Sequence, residues 1–263
     1  MTQSTIGFLG AGNMGGALAR AVRRAQPDAD ILLCNAHRET AQALAQEIGG
    51  RAAAMEDIAR TCETIFLGVK PNLIADLLDS LAPQLARRDT QPLLISMAAG
   101  VSLEEMEQRA GGAPVIRILP NTPVAIGKGV TLYTLGSKAD GRGRETFAGL
   151  LSASGSLIEV PEAQMKAAGV VAGCGPAFVD LFLEALADGG VYCGLPRSLS
   201  LRLAAEMTAG AAALAVETGA HPGALKDAVC SPGGSTIRGV RKLEEKQLRS
   251  AVMEAVLASA GKE

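Results

Sequence analysis

Ile6-Gly7-Phe8-Leu9-Gly10-Ala11-Gly12-Asn13-Met14-Gly15-Gly16 decides how the rest of this chain is read. A short apolar run ends in Gly10-x-Gly12-x-x-Gly15, and a helical pattern through Ala17, Leu18, Ala21 and Val22 follows at once. Strand, glycine turn and helix in that order make a dinucleotide-binding βα turn. Gly10 permits the tight turn, Gly12 lets backbone approach a pyrophosphate, and Gly15 lets the helix pack close on the strand. The phosphates then meet the free N–H groups and positive dipole end of the helix. A chain with 31 glycines produces such triplets by chance, so the flanking strand and helix carry the argument.

Composition fits that start. Of 263 residues, 48% are hydrophobic but only 3% aromatic, so the core is built from Ala, Leu, Val and Ile, as suits helices on a parallel sheet. A net charge of −2 leaves no electrostatic footprint for nucleic acid. Cys34, Cys62, Cys174, Cys193 and Cys230 are scattered without a C-x-x-C pair, which argues against a disulfide framework or a metal site and for a reducing cytoplasm. The chain enters a strand within a few residues, so a signal peptide is not expected. Nor is a spanning helix, because the longest apolar stretch (167–186) carries Pro176, Asp180 and Glu184.

Working outward, Ile31–Cys34 reads as a second strand, and the residues after it bear on cofactor choice. An NAD site places an acid about 20 residues past the glycines to bind the ribose 2′-hydroxyl. Here the zone reads Asn35-Ala36-His37-Arg38, with no acid before Glu39. Arg38 suits a 2′-phosphate through charge-assisted contacts; the alternative is a solvated arginine opening the next helix. A strand over 64–69 runs into Lys70-Pro71, with Val69, Lys70 and Pro71 at the crevice end. A helix over 73–85 and a strand over 92–96 follow, the latter ending in Met97-Ala98-Ala99-Gly100. Ser102-Leu103-Glu104-Glu105 is a capping box. Strands over 115–119, 129–135 and 157–160 complete a sheet of about eight.

Strands stop at Pro161, which gives two domains, 1–160 and 161–263. Gly173-Cys174-Gly175-Pro176 is expected to interrupt the first helix of the second domain, because Pro176 lacks an N–H. Helices over 177–192 and 197–217 are too apolar for a lone four-helix domain, which suggests a second subunit. The Val229–Val240 stretch (VCSPGGSTIRGV) holds a small-residue loop before a helix starting near Ser235, a place for a small anion. It also reads as an ordinary loop with serine caps.

Several stretches together resemble pyrroline-5-carboxylate reductases: Gly10–Gly15, Gly68–Pro71, Ala98–Val101, RILPNTP at Arg117–Pro123, GCGPA at Gly173–Ala177, and above all HPGALKDAVCSPGGSTIRGV at His221–Val240. The resemblance implies an α/β protein with an N-terminal Rossmann-type domain and a C-terminal all-helical dimerisation domain. It implies a homodimer, sometimes assembled into higher rings, and hydride transfer from NADPH or NADH to 1-pyrroline-5-carboxylate, giving L-proline. It places the pyrophosphate on Gly10, Ala11, Gly12, Asn13 and Met14, and the 2′-phosphate at Asn35, His37 and Arg38. Ribose and nicotinamide fall near Val69, Lys70, Pro71, Met97, Ala98, Ala99 and Asn121. The substrate carboxylate falls on Ser231, Gly233, Gly234, Ser235 and Thr236, presented by the other subunit's helices. Departures are Met55, where some relatives have an adenosine-contacting Asn, and Gly219, where some carry Glu.

A cyclic imine is basic enough to take a proton near neutral pH, so such a site needs orientation more than a strong acid. The Thr236 hydroxyl is the candidate to hydrogen-bond the ring nitrogen; its alternative role is a helix cap. Two other readings remain: a β-hydroxyacid-dehydrogenase-like NADP oxidoreductase, disfavoured because no Lys follows Pro176 up to Tyr192, and a non-enzymatic NADP sensor.

Overall fold

The computed structural model describes residues 4–262, which divide into two compact units after Gly173. The first is built on one eight-stranded sheet. Its elements run β1 (Thr5–Leu9), α1 (Asn13–Ala25), β2 (Asp30–Cys34), α2 (Arg38–Ile48), β3 (Arg51–Ala52), α3 (Met55–Thr61) and β4 (Thr64–Leu67). Then come α4 (Ile74–Leu85), β5 (Leu93–Ser96), α5 (Leu103–Arg109), β6 (Val115–Pro120), β7 (Gly129–Leu135), α6 (Gly141–Leu150), β8 (Gly155–Glu159) and α7 (Glu162–Gly169). Strand order is β3-β2-β1-β4-β5-β6-β7-β8. All neighbours are parallel except β6 and β7.

The order reverses between β1 and β4, and an open α/β sheet binds ligands at the carboxyl ends of such a pair. Both strands are buried on both faces, which is why they read as unbroken apolar runs. Phe8 of β1 and Phe66 of β4 stack at 4.5 Å in the middle. One core layer places Leu18, Val22 and Phe147 against one face of the sheet. The other places Ile58, Leu78, Leu81 and Met106 against the opposite face.

Several expectations are corrected. The strand read over 64–69 ends at Leu67, because the chain turns at Gly68 to pass the glycine loop, and a 3-10 turn at Pro71–Leu73 precedes α4. The two-residue edge strand β3 leaves no signature in the sequence, because so short a segment carries no period. The last strand is Gly155–Glu159 rather than 157–160.

Nor does Pro176 break the helix. A π-helical segment, Val170–Cys174, joins α7 directly to α8 (Gly175–Tyr192). The wider turn puts Pro176 at a helix start, where a missing N–H costs nothing. Strands do stop at Pro161, but Met165, Gly169 and Val170 are buried in the first unit, so that unit runs on to Gly173.

The second unit holds α8, α9 (Arg197–Thr218), α10 (Pro222–Ala228), α11 (Ser235–Glu245) and α12 (Leu248–Ser259). Its helices leave large apolar side chains in the open, among them Leu181 at 68% and Val216 at 83%. The stretches Glu162–Tyr192 and Arg197–Thr218 are each long and apolar enough to cross a membrane.

Candidate active site

The glycine turn is a cradle closed on three sides. Gly10 has φ +99°, and a Cβ there would lie 2.5 Å from the Gly68 carbonyl. A Cβ on Gly15 would lie 2.1 Å from the Gly10 carbonyl oxygen, and one on Gly68 2.5 Å from that same oxygen. Backbone bonds hold this packing: Gly10 N–H donates to Cys34 O at 2.9 Å, and Gly68 N–H to Leu9 O at 2.7 Å. Gly12 differs, with no atom within 4 Å of where its Cβ would stand. Gly12 also caps α1, which has no side-chain cap and no acid in its first turn. The N–H groups opening α1 therefore face space of the kind a diphosphate fills.

Around the cradle, Asn13 and Met14 sit in the first turn of α1, with Asn13 exposed, while Ala11 is buried against the core. The Met97 methyl lies against Gly68. Ala98 is fully buried and its N–H donates to Ser96 Oγ, so Ala99 is the exposed small residue there. Val69 is half-buried, and Lys70 and Pro71 are exposed at the crevice end of β4. Past β2, Asn35 is half-buried, His37 caps α2 without a side-chain bond, and Arg38 is exposed at the first position of α2. Arg38 makes no ion pair among the described residues. Cys34 ends β2 beside Met55, whose N–H bonds the thiol; burial, then the Glu56 carboxylate, push that thiol's pKa up.

Asn121 is spent structurally. Its Nδ2 donates to Ala172 O at 3.0 Å and its Oδ1 accepts from Val130 N–H at 2.8 Å. Its backbone N–H donates to Val130 O and its carbonyl accepts from Val124 N–H, both at 3.2 Å, so a polar contact to a nicotinamide would fall to its second amide hydrogen.

In the second unit, the loop before α11 is tighter than the sequence suggested. Gly233 has φ +68°, and Gly234 N–H donates to Ser231 O at 3.0 Å. A Cβ on Gly234 would strike Ser231 Oγ at 2.4 Å. That N–H, expected to help hold a carboxylate, is thus turned inward. The N–H groups of Ser235 and Thr236, the first two positions of α11, remain, since no side chain caps that helix. The hydroxyls of Ser231, Ser235 and Thr236 make no side-chain hydrogen bond among the described residues, so the cap reading of Thr236 has no bond behind it. Arg238 Nη1 donates to Gly233 O at 2.6 Å and braces the loop. Sequence reasoning passed over this arginine, because a bond five residues back follows no periodic pattern.

Residues 162–263 match the family model for pyrroline-5-carboxylate reductase dimerisation, and residues 5–100 that for NADP oxidoreductase, coenzyme F420-dependent. A pyrroline-5-carboxylate reductase from Glycine max is 40% identical over 259 residues, which is 97% of this chain and 93% of the relative. The chain belongs to the pyrroline-5-carboxylate reductase family. Among solved structures, a pyrroline-5-carboxylate reductase from Coxiella burnetii superposes with a TM-score of 0.89 at 27% identity, covering 99% of this chain and 97% of that one. The Plasmodium falciparum pyrroline carboxylate reductase with NADP bound gives 0.85 at 29%, covering 99% and 98%.

Membership in the pyrroline-5-carboxylate reductase family accounts for the apolar helices of the second unit. The dimerisation model spans both stretches of membrane-crossing length, so a second copy of the chain is their natural cover. The family's glycine turn is also a physical fit for a dinucleotide here: the cradle closes where a Cβ would clash and opens only at Gly12.

Proposed function

We propose that the chain reduces 1-pyrroline-5-carboxylate to L-proline, the last step of proline biosynthesis, with NADPH as preferred reductant and NADH accepted. The observation that carries the reading is the glycine cradle of Gly10, Gly15 and Gly68, open only at Gly12, in a chain matched from end to end by this family. NADPH, when bound, supplies a hydride to the imine carbon.

The chain's own residues do the rest. Gly10, Ala11, Gly12, Asn13 and Met14 hold the diphosphate through the free N–H groups of α1. Arg38, without an ion pair among the described residues and flanked by Asn35 and His37, takes the 2′-phosphate. Val69, Lys70, Pro71, Met97, Ala99 and Asn121 border the ribose and nicotinamide. The N–H groups of Ser235 and Thr236, with the Ser231 and Ser235 hydroxyls, hold the substrate carboxylate, Gly233 and Gly234 giving the loop its shape. The Thr236 hydroxyl hydrogen-bonds the ring nitrogen and assists its protonation. Positioning supplies most of the rate, since a protonated imine is already electrophilic.

The enzyme works as a homodimer, on which higher rings can be built, in the cytoplasm and away from membranes and nucleic acid; scattered cysteines support the reducing compartment. The test is loss of reduced-nicotinamide absorbance on adding pyrroline-5-carboxylate, with proline identified as product. Binding of NADPH without turnover would instead favour a sensor.

A further inference from the structure

One face of β6 carries Arg117 and Leu119, and Asn121, the first residue past the strand, continues the alternation. Each engages the helical segment that runs from Glu162 to Gly173. Arg117, 9% exposed, donates from Nη1 to Glu162 Oε1 at 2.9 Å. That same oxygen accepts the Leu103 N–H, at the first position of α5, at 2.7 Å. Leu119 underlies the middle: a Cβ on Gly169 would lie 3.0 Å from its Cδ1 and one on Gly173 3.8 Å from its Cδ2. Asn121 holds the far end through Ala172 O, inside the π-helical segment.

The dimensions agree. The four steps from Arg117 to Asn121 span about 13 Å, and the ten helical steps from Glu162 to Ala172 about 15 Å. The segment is thus pinned near both ends and seated between them at Gly169, against Leu119. It is the last stretch of the first unit before the chain passes at Cys174 into the helices that carry the Ser231–Thr236 loop.

We infer that Arg117 and Glu162 are positioning residues for hydride transfer, fixing the course on which the chain leaves the cofactor-binding unit. The inference rests on the proposed reductase function. One half-buried carboxylate oxygen joins a strand, the start of α5 and the start of α7, so loss of either partner frees α7 while leaving the glycine cradle untouched. An error of about 1 Å in the approach of reacting atoms costs up to about 100-fold in rate, whereas cofactor affinity depends on neither residue.

Arg117→Met and Glu162→Ala are the direct tests. Glu162→Ala leaves the buried Arg117 guanidinium without its partner, which can itself unfold a protein. The double variant Arg117→Met, Glu162→Gln therefore accompanies them, keeping an acceptor for Leu103 N–H and removing both charges. The expected result is a fall in kcat of about 10-fold or more with unchanged NADPH dissociation constant, and a larger isotope effect with NADPH deuterated at the transferred hydrogen. Amide exchange over 162–173 should quicken, and Glu162→Gln alone should regain most of what Glu162→Ala loses. An active wild type whose variants keep kcat and isotope effect, losing only melting temperature, overturns this inference and leaves the reductase reading standing. A wild type that binds NADPH without turnover overturns both.

Discussion

The two units solve the problem of burial differently. The sheet unit closes on itself, with Phe8 and Phe66 stacked between two layers of helices and its strands buried on both faces. Among described residues from Cys174 onward, only Ala187, Ser200 and Ala204 are fully buried. There α9 lays Leu199, Leu203, Met207 and Leu214 along one open stripe, at 43%, 52%, 51% and 52% exposure. A unit so poor in interior draws its stability from a partner, and the dimerisation model over 162–263 names that partner as a second copy. The lesson is a division of labour: the first unit closes its own core, and the second leaves its apolar face for a second copy.

Charge placed in the stripe should break the contrast most severely. Leu203→Glu would bury an unpaired carboxylate at the subunit contact and forfeit roughly 2 kcal/mol of apolar burial per chain. Sedimentation should then find monomers or aggregates without turnover, while NADPH titration still finds binding in the sheet unit. A variant that remains a dimer would sink the assignment of this face. Gly15→Ala should do the reverse, because its Cβ would meet the Gly10 carbonyl oxygen at 2.1 Å. The dimer should persist while NADPH affinity falls about 100-fold, some 2.7 kcal/mol; wild-type affinity would mean the cradle is not the diphosphate site.

Smaller effects sharpen the picture within each unit. Thr236→Ala should lower kcat by about 10-fold, near 1.4 kcal/mol of barrier, with little change in NADPH binding. Turnover equal to wild type would strip Thr236 of its role at the ring nitrogen. Arg38→Ala should raise the KM for NADPH about 5-fold, close to 1 kcal/mol, and leave that for NADH alone. Parallel changes for the two cofactors would show that Arg38 reads something other than the 2′-phosphate.

The sequence was informative wherever a residue's reason is local. The glycine turn, the strand–helix alternation to Pro161, the Ser102 cap, seen as the Glu105 N–H bond at 3.1 Å, and the loop before Ser235 all follow from spacing and backbone freedom within a few residues. So does the excess of apolar surface in the helical half, because composition already exceeded what a small bundle can bury. Tertiary structure alone decided the rest. It spent the Asn121 carboxamide between Val130 and Ala172, turned the Gly234 N–H inward, carried the helix through Pro176 on a π turn, and brought Glu162 to Arg117 across 45 positions of chain. The Asn121 and Arg117 bonds depend on which distant groups come to lie within about 3 Å, and no sequence period encodes that distance.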